Sequence, residues 1–109
     1  MSGDPMETME TMVDALRRFG SRGYTDEFQA RPEGLRSLAT DRVFPPEDLV
    51  VEDVARFEGS SDPGDEATIF ALRSPGGEIR GTYTVTFGTQ MDAMDAAMVP
   101  RLKEGRKDH

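Results

Sequence analysis

A chain of 109 residues supports one domain with a real hydrophobic core, and is too short for two domains with a deep cleft between them. Its formal net charge of -8, with 31% charged and 36% apolar residues, works against a nucleic-acid partner, because phosphate contacts draw their affinity from Lys and Arg. With no cysteine, disulfides, thiolate metal sites and cysteine nucleophiles are excluded.

The first residues, MSGDPMETMETM, have neither the basic start nor the apolar centre of a signal peptide, and no apolar run approaches membrane-spanning length. No membrane partner and a cytoplasmic location are the expectations. Asp4-Pro5-Met6-Glu7 reads as a helix start: an Asp cap, Pro at the first helical position, and Glu three residues after the cap. Met9, Met12, Val13, Leu16 and Phe19 then recur at helical spacing, and Gly20 and Gly23 end the helix.

Arg31-Pro32-Glu33-Gly34 is a turn between two extended pieces at 25–31 and 35–38, a small hairpin. Pro45-Pro46 before two acids suits a single helical turn leading into a strand at 49–58, whose alternation is imperfect. A strand at 67–74 and the SPGGE turn follow. The clearest strand is 78–87, with Ile79, Gly81, Tyr83, Val85 and Phe87 on one face and Glu78, Arg80, Thr82, Thr84 and Thr86 on the other. A last helix is expected at 89–99, capped by Thr89, with Met91, Met94 and Met98 on one side, and a polar tail at 100–109.

These elements make a single α+β domain, residues 1–109 with an ordered core at about 5–99: a two-layer fold in which an antiparallel meander of about four to five strands is covered on one face by the N- and C-terminal helices. The expected core is Val13, Leu16, Phe19, Val51, Phe57, Phe70, Leu72, Tyr83, Val85 and Phe87.

Few chemistries survive. The single histidine is the final residue, His109, and both lysines, Lys103 and Lys107, lie in the same tail, so histidine and imine catalysis have no setting. No phosphate loop or cofactor motif is present, so no cofactor is expected. Met6, Met9 and Met12 in one helix and Met91, Met94 and Met98 in the other read first as core fillers, then as an adaptable partner surface, then as thioether ligands for copper(I).

On the polar sheet face, Arg80 with Thr82, Thr84 and Thr86, joined by Glu52, Arg56 and Glu58, reads as solvated surface, as a homodimer face, or as a platform for a small anion. In RFEGSSDPGDEATIF, Asp62-Pro63-Gly64-Asp65 is a good turn. The alternative is a ligand or hard-cation site: Arg56, Glu58, Asp62, Asp65 and Arg80 for a ligand, and Asp62, Asp65 and Glu66 for a metal.

The stretches GYTDEFQ, FPPEDLVVEDVARFEGSSDPGDEATIFAL and GTYTVTFG resemble a family of small uncharacterised bacterial proteins, some labelled phosphoribosylpyrophosphate synthetase, over roughly residues 9–99. The resemblance implies no reaction. The label does not fit, because SSDPGDEAT lacks the strand–loop–helix setting in which backbone amides cradle a phosphate. The expected function is a small soluble, non-catalytic interaction or ligand-binding domain forming a homodimer through the polar sheet face. The alternative is a small carboxylate- or metal-dependent enzyme acting on a small anionic metabolite.

Overall fold

The computed structural model describes residues 10–58, 66–88 and 91–104, with 58, 103 and 104 described for their backbone. In chain order the elements are α1 (Met12–Ser21), β1 (Asp26–Arg31), β2 (Gly34–Ser37), β3 (Val43–Phe44), a 3-10 turn at Pro46–Asp48, β4 (Val50–Glu58), β5 (Glu66–Arg73), β6 (Arg80–Phe87), α2 (Ala93–Met98), a second 3-10 turn at Val99–Arg101, and β7 (Lys103–Glu104). The fold is α+β. One seven-stranded sheet runs β3-β2-β1-β6-β5-β4-β7.

Two units expected from local pattern are present. The β1–β2 hairpin turns about Pro32 and Glu33, and Gly34 takes a positive φ of 152° where a Cβ would stand 2.3 Å from the Phe44 carbonyl oxygen. The β4-β5-β6 meander is antiparallel throughout. The sheet as a whole is mixed, not antiparallel: β1 joins the meander as a parallel neighbour of β6 through Asp26↔Gly81 and Glu27↔Thr82, and β7 lies parallel to β4 through Val50↔Lys103 and Val51↔Glu104. Residues 103 and 104 thus belong to the sheet and not to a free tail, and Leu102 just before them packs on the core.

The helices do not share one face. In β5, Ile69 and Ala71 point to the side that carries Ala15 and Phe19 of α1, together with Tyr24 and Ala55. Leu72 and half-buried Phe70 point to the other side, where Phe28, Leu35, Val51, Tyr83, Val85 and Met98 of α2 form the larger core. Two helices on opposite faces of one sheet make three layers, a correction to the two-layer expectation.

The start and the apolar stripe of α1 also differ from expectation. Asp4 to Glu7 lies outside the described residues, and α1 is capped by Thr11, whose Oγ1 accepts from the Asp14 amide at 3.1 Å while Asp14 returns an acceptor to the Thr11 amide at 3.3 Å. The buried stripe is Ala15 and Phe19 with half-buried Met12, whereas Val13 is 57% and Leu16 38% exposed. Ala15 lets the helix approach Ala55 and Ala71 closely, and that approach selects a narrow stripe rather than the wider one containing Leu16. The other expected core residues hold: Phe19, Val51, Leu72, Tyr83 and Val85 are buried, and Phe57, Phe70 and Phe87 are partly buried against the cores.

The imperfect alternation of β4 is a bulge. The register slips between Val51, opposite Leu72, and Asp53, opposite Ala71, so Glu52 has no partner residue in the ladder and the strand changes phase there. At the other end of the chain, α2 begins with Asp92 as its cap, accepting from the Met94 amide at 2.8 Å, whereas Thr89 lies outside the described residues.

Candidate functional site

Two constellations of polar side chains flank the sheet: in one the carboxylates close on arginines of the chain, and in the other Arg31, Asp92 and Asp95 make no ion pair among the described residues, Asp92 and Asp95 each accepting one hydrogen bond from the chain. On the α1 side the Glu52 carboxylate, released from the ladder by the bulge, accepts from the Tyr24 hydroxyl at 2.5 Å and from Arg73 Nε at 2.7 Å. The Arg80 guanidinium stands 6.0 Å above the Tyr24 ring, and Arg22 donates to Asp53 at 2.9 Å. Partial burial pushes the Glu52 carboxyl up, but the Tyr24 and Arg73 hydrogen bonds and the nearby arginine charges outweigh it and leave the group below its ordinary value. Burial and the bond to Glu52 raise the Tyr24 phenol. Every carboxylate here has its partners, so the cluster ties α1 and its C-terminal turn to β4, β5 and β6; Arg80 makes no ion pair among the described residues and rests over the Tyr24 ring.

A depression of about 260 Å³ beside it is lined by Thr25, Asp26, Thr40, Glu78 and Arg80 among others, and its two carboxylates are engaged within the chain. Asp26 accepts from the Ser37 hydroxyl and from the Ala39 amide at 3.1 Å, and Glu78 pairs with Arg42 at 3.5 Å.

The open constellation lies at the carboxyl ends of β1 and β6. These parallel strands pair over two residues each and then part: β1 continues along β2 through Phe28↔Ser37 to Arg31↔Gly34, while β6 continues along β5 as far as Phe87↔Glu66. Gly81 permits the narrow end of this fork, since a Cβ there would stand 2.5 Å from the Asp26 carbonyl oxygen. The wide end holds a cleft of about 300 Å³ lined by Gln29, Ala30, Arg31, Thr84, Asp92, Met94 and Asp95. Crevices where neighbouring parallel strands diverge at their carboxyl ends are the ordinary ligand positions of open α/β sheets, and here α2 forms one wall. Tyr83, 1% exposed, fixes that wall by donating its hydroxyl to Asp95 Oδ1 at 2.5 Å; burial and this bond to a carboxylate hold the phenol far above its ordinary value.

The residues singled out from sequence fall elsewhere. Arg56 is exposed and registers with Thr68, which registers with Val85, on the face of the larger core; Arg80 registers with Arg73 on the α1 face, at the other end of the meander. The two arginines are therefore not brought together. The backbone of Glu58 pairs with exposed Glu66 at the end of the β4–β5 ladder, and Asp62 and Asp65 lie outside the described residues. Among the described residues no group of three or more His, Cys, Asp or Glu is placed to hold a metal ion. No helix among them is long and apolar enough to cross a membrane.

The three hydroxyls of β6 are split: Thr82 is buried under the α1 side, whereas Thr84 and Thr86 are exposed. The methionines divide likewise. Met98 is buried and Met91 half-buried in the larger core, Met12 at the start of α1 packs on the smaller core, and Met94 lines the cleft. Gln29, Arg31, Asp92 and Asp95 escape a sequence reading because only the parallel pairing of β1 with β6 brings them into one place. The signal present in sequence is local: alternate polar positions in β1 and two acids three apart at the start of α2. Comparison of the chain with family models, with curated proteins and with solved structures yields no match.

Proposed function

We propose that the protein is a small non-catalytic ligand-binding domain whose site is the cleft between β1 and β6. The observation that carries this reading is the fork itself: a gap between two parallel strands that keeps a guanidinium, an amide, a hydroxyl and two carboxylates around one cavity of about 300 Å³. That volume sits at the lower edge of the range of about 300–1,000 Å³ found for small-molecule sites. These are binding groups. Among the described residues no base is hydrogen-bonded to Thr84 to make it a nucleophile, and the buried Tyr83 hydroxyl is committed to Asp95.

A thermal-shift screen of the full chain against a metabolite library, followed by amide chemical-shift mapping of each hit, tests the reading. Hits should move the resonances of Gln29, Arg31 and Thr84, and Thr84→Trp, which fills the cleft from an exposed strand position, should abolish them. Hits that map elsewhere, or that survive Thr84→Trp, overturn it. Turnover of a hit, lost in Asp95→Asn, would replace binding with the carboxylate-driven enzyme.

A second reading is favoured by the strip of β6 on the α1 face that the helix does not reach. Exposed Thr84 and Thr86 there are uncharged on a chain of net charge -8, as suits a homodimer contact. Thr86 does not line the cleft, so Thr86→Arg separates the two readings: it should split a dimer detected by light scattering while leaving ligand hits intact.

A further inference from the structure

We infer that the ligand of the β1–β6 cleft is a small zwitterion, an amino acid or dipeptide, with its carboxylate on Arg31 and its ammonium group on Asp92 and Asp95. This rests on the binding reading above and adds the chemistry of the ligand. Arg18, Arg22, Arg36, Arg42, Arg73 and Arg101 each close on a carboxylate of the chain within 4.0 Å. Among the described residues Arg17, Arg31, Arg56 and Arg80 do not, and of these four only Arg31 lines the β1–β6 cleft, which Asp92 and Asp95 line as well. The cause is architectural: Arg31 is carried by β1 and the two aspartates by α2 and its cap, and the divergence of β1 from β6 keeps a gap between them.

A plain anion entering that gap would meet Arg31 but also two carboxylates on a chain of net charge -8. A plain cation would meet the carboxylates and leave the arginine unanswered. A molecule with both ends charged satisfies both walls by charge-assisted hydrogen bonds, the stronger kind. Gln29 and Thr84 supply neutral donors and acceptors between the two walls. Beyond Thr82, β6 has no strand partner on its β1 side among the described residues, so its backbone edge borders the cleft as well. An amide-bearing ligand suits such an edge.

The probes are glycylglycine, N-acetylglycylglycine and glycylglycinamide, which carry both charges, the carboxylate alone and the ammonium alone. Each is titrated into the isotope-labelled full chain. Glycylglycine should shift the amides of Gln29, Arg31 and Thr84, and each blocked form should bind about tenfold or more weakly for the loss of one charge-assisted contact. Arg31→Gln, at an exposed position, should bring glycylglycine down to the affinity of glycylglycinamide. The inference is overturned if the acetylated dipeptide binds as tightly as the parent, or if Arg31→Gln leaves glycylglycine binding unchanged. It is also overturned if none of the three moves the cleft resonances while a library compound of another class does, in which case the binding reading stands without it. Silence from every compound removes both.

Discussion

Tyr83 of β6 donates its hydroxyl to Asp95 of α2 at 2.5 Å, and this bond joins the floor of the larger core to the wall of the cleft. The phenol is held far above its ordinary value by burial first and by the carboxylate second, so the folded chain keeps this proton where an unfolded chain loses it near pH 10. The folded state then binds more protons than the unfolded one, and stability must fall as pH rises above about 10. Tyr83→Phe should flatten that alkaline loss in chemical denaturation series, and at neutral pH should cost about 1.5–3 kcal/mol for a lost hydrogen bond to a charged group. An unchanged alkaline slope would show that another group controls it.

Phe19 is fully buried and Leu16 is 38% exposed on the same helix. Phe19→Ala should therefore cost about 3–5 kcal/mol as a large-to-small core change, and Leu16→Ala under about 1 kcal/mol. Urea unfolding of both variants checks the docked face of α1; equal losses would mean that the helix packs on the wider stripe suggested by sequence.

At Gly81 there is no room for a side chain, since an added Cβ would stand 2.5 Å from the Asp26 carbonyl oxygen and 2.6 Å from its carbon. Both are backbone atoms, so relief requires β1 to move away from β6. Gly81→Ala should destabilise by about 1–3 kcal/mol, as overpacking does, and should speed amide hydrogen exchange at Glu27 and Thr82 more than in the β4–β5 ladder. Uniform exchange would place the strain elsewhere.

Glu52 stands below its ordinary value although burial opposes this, because Tyr24 and Arg73 donate to it. A carboxyl depressed in the folded state stabilises at neutral pH and loses that contribution as pH falls through the ordinary carboxylate range toward the folded value. Arg73→Gln removes the charge that holds it down, so acid unfolding of that variant should depend less steeply on pH between about 5 and 3. Circular dichroism followed across that range would show it, and an unaltered slope would exclude Glu52 as a contributor.

The β7 pairing gives a further test. Lys103→Pro removes a backbone N–H from a strand that pairs with Val50 and Val51. Exchange at Val50 and Val51 should accelerate while the β5–β6 ladder stays protected; no local change would detach residues 103 and 104 from the sheet.

Elements whose geometry depends on near neighbours are legible in the amino-acid sequence. The turn at Arg31-Pro32-Glu33-Gly34, the helical turn after Pro45, and the alternation of β6 with Gly81, Tyr83, Val85 and Phe87 on one side are set by φ restrictions and a two-residue period, which act within a few residues. The meander followed from the same locality, since its strands are consecutive. The parallel join of β1 to β6, the change of phase at Glu52, the face on which α1 lies and the recruitment of residues 103 and 104 as a strand are set by long-range packing. Each depends on contacts between segments far apart in the chain: a backbone approach that Gly81 permits, a small patch of Ala15, Ala55 and Ala71, and an edge of β4 left to be paired. The cleft is a product of those long-range choices. Gln29, Arg31, Asp92 and Asp95 carry no joint pattern in sequence, because side chains on different elements are gathered by the divergence of two strands and not by spacing along one.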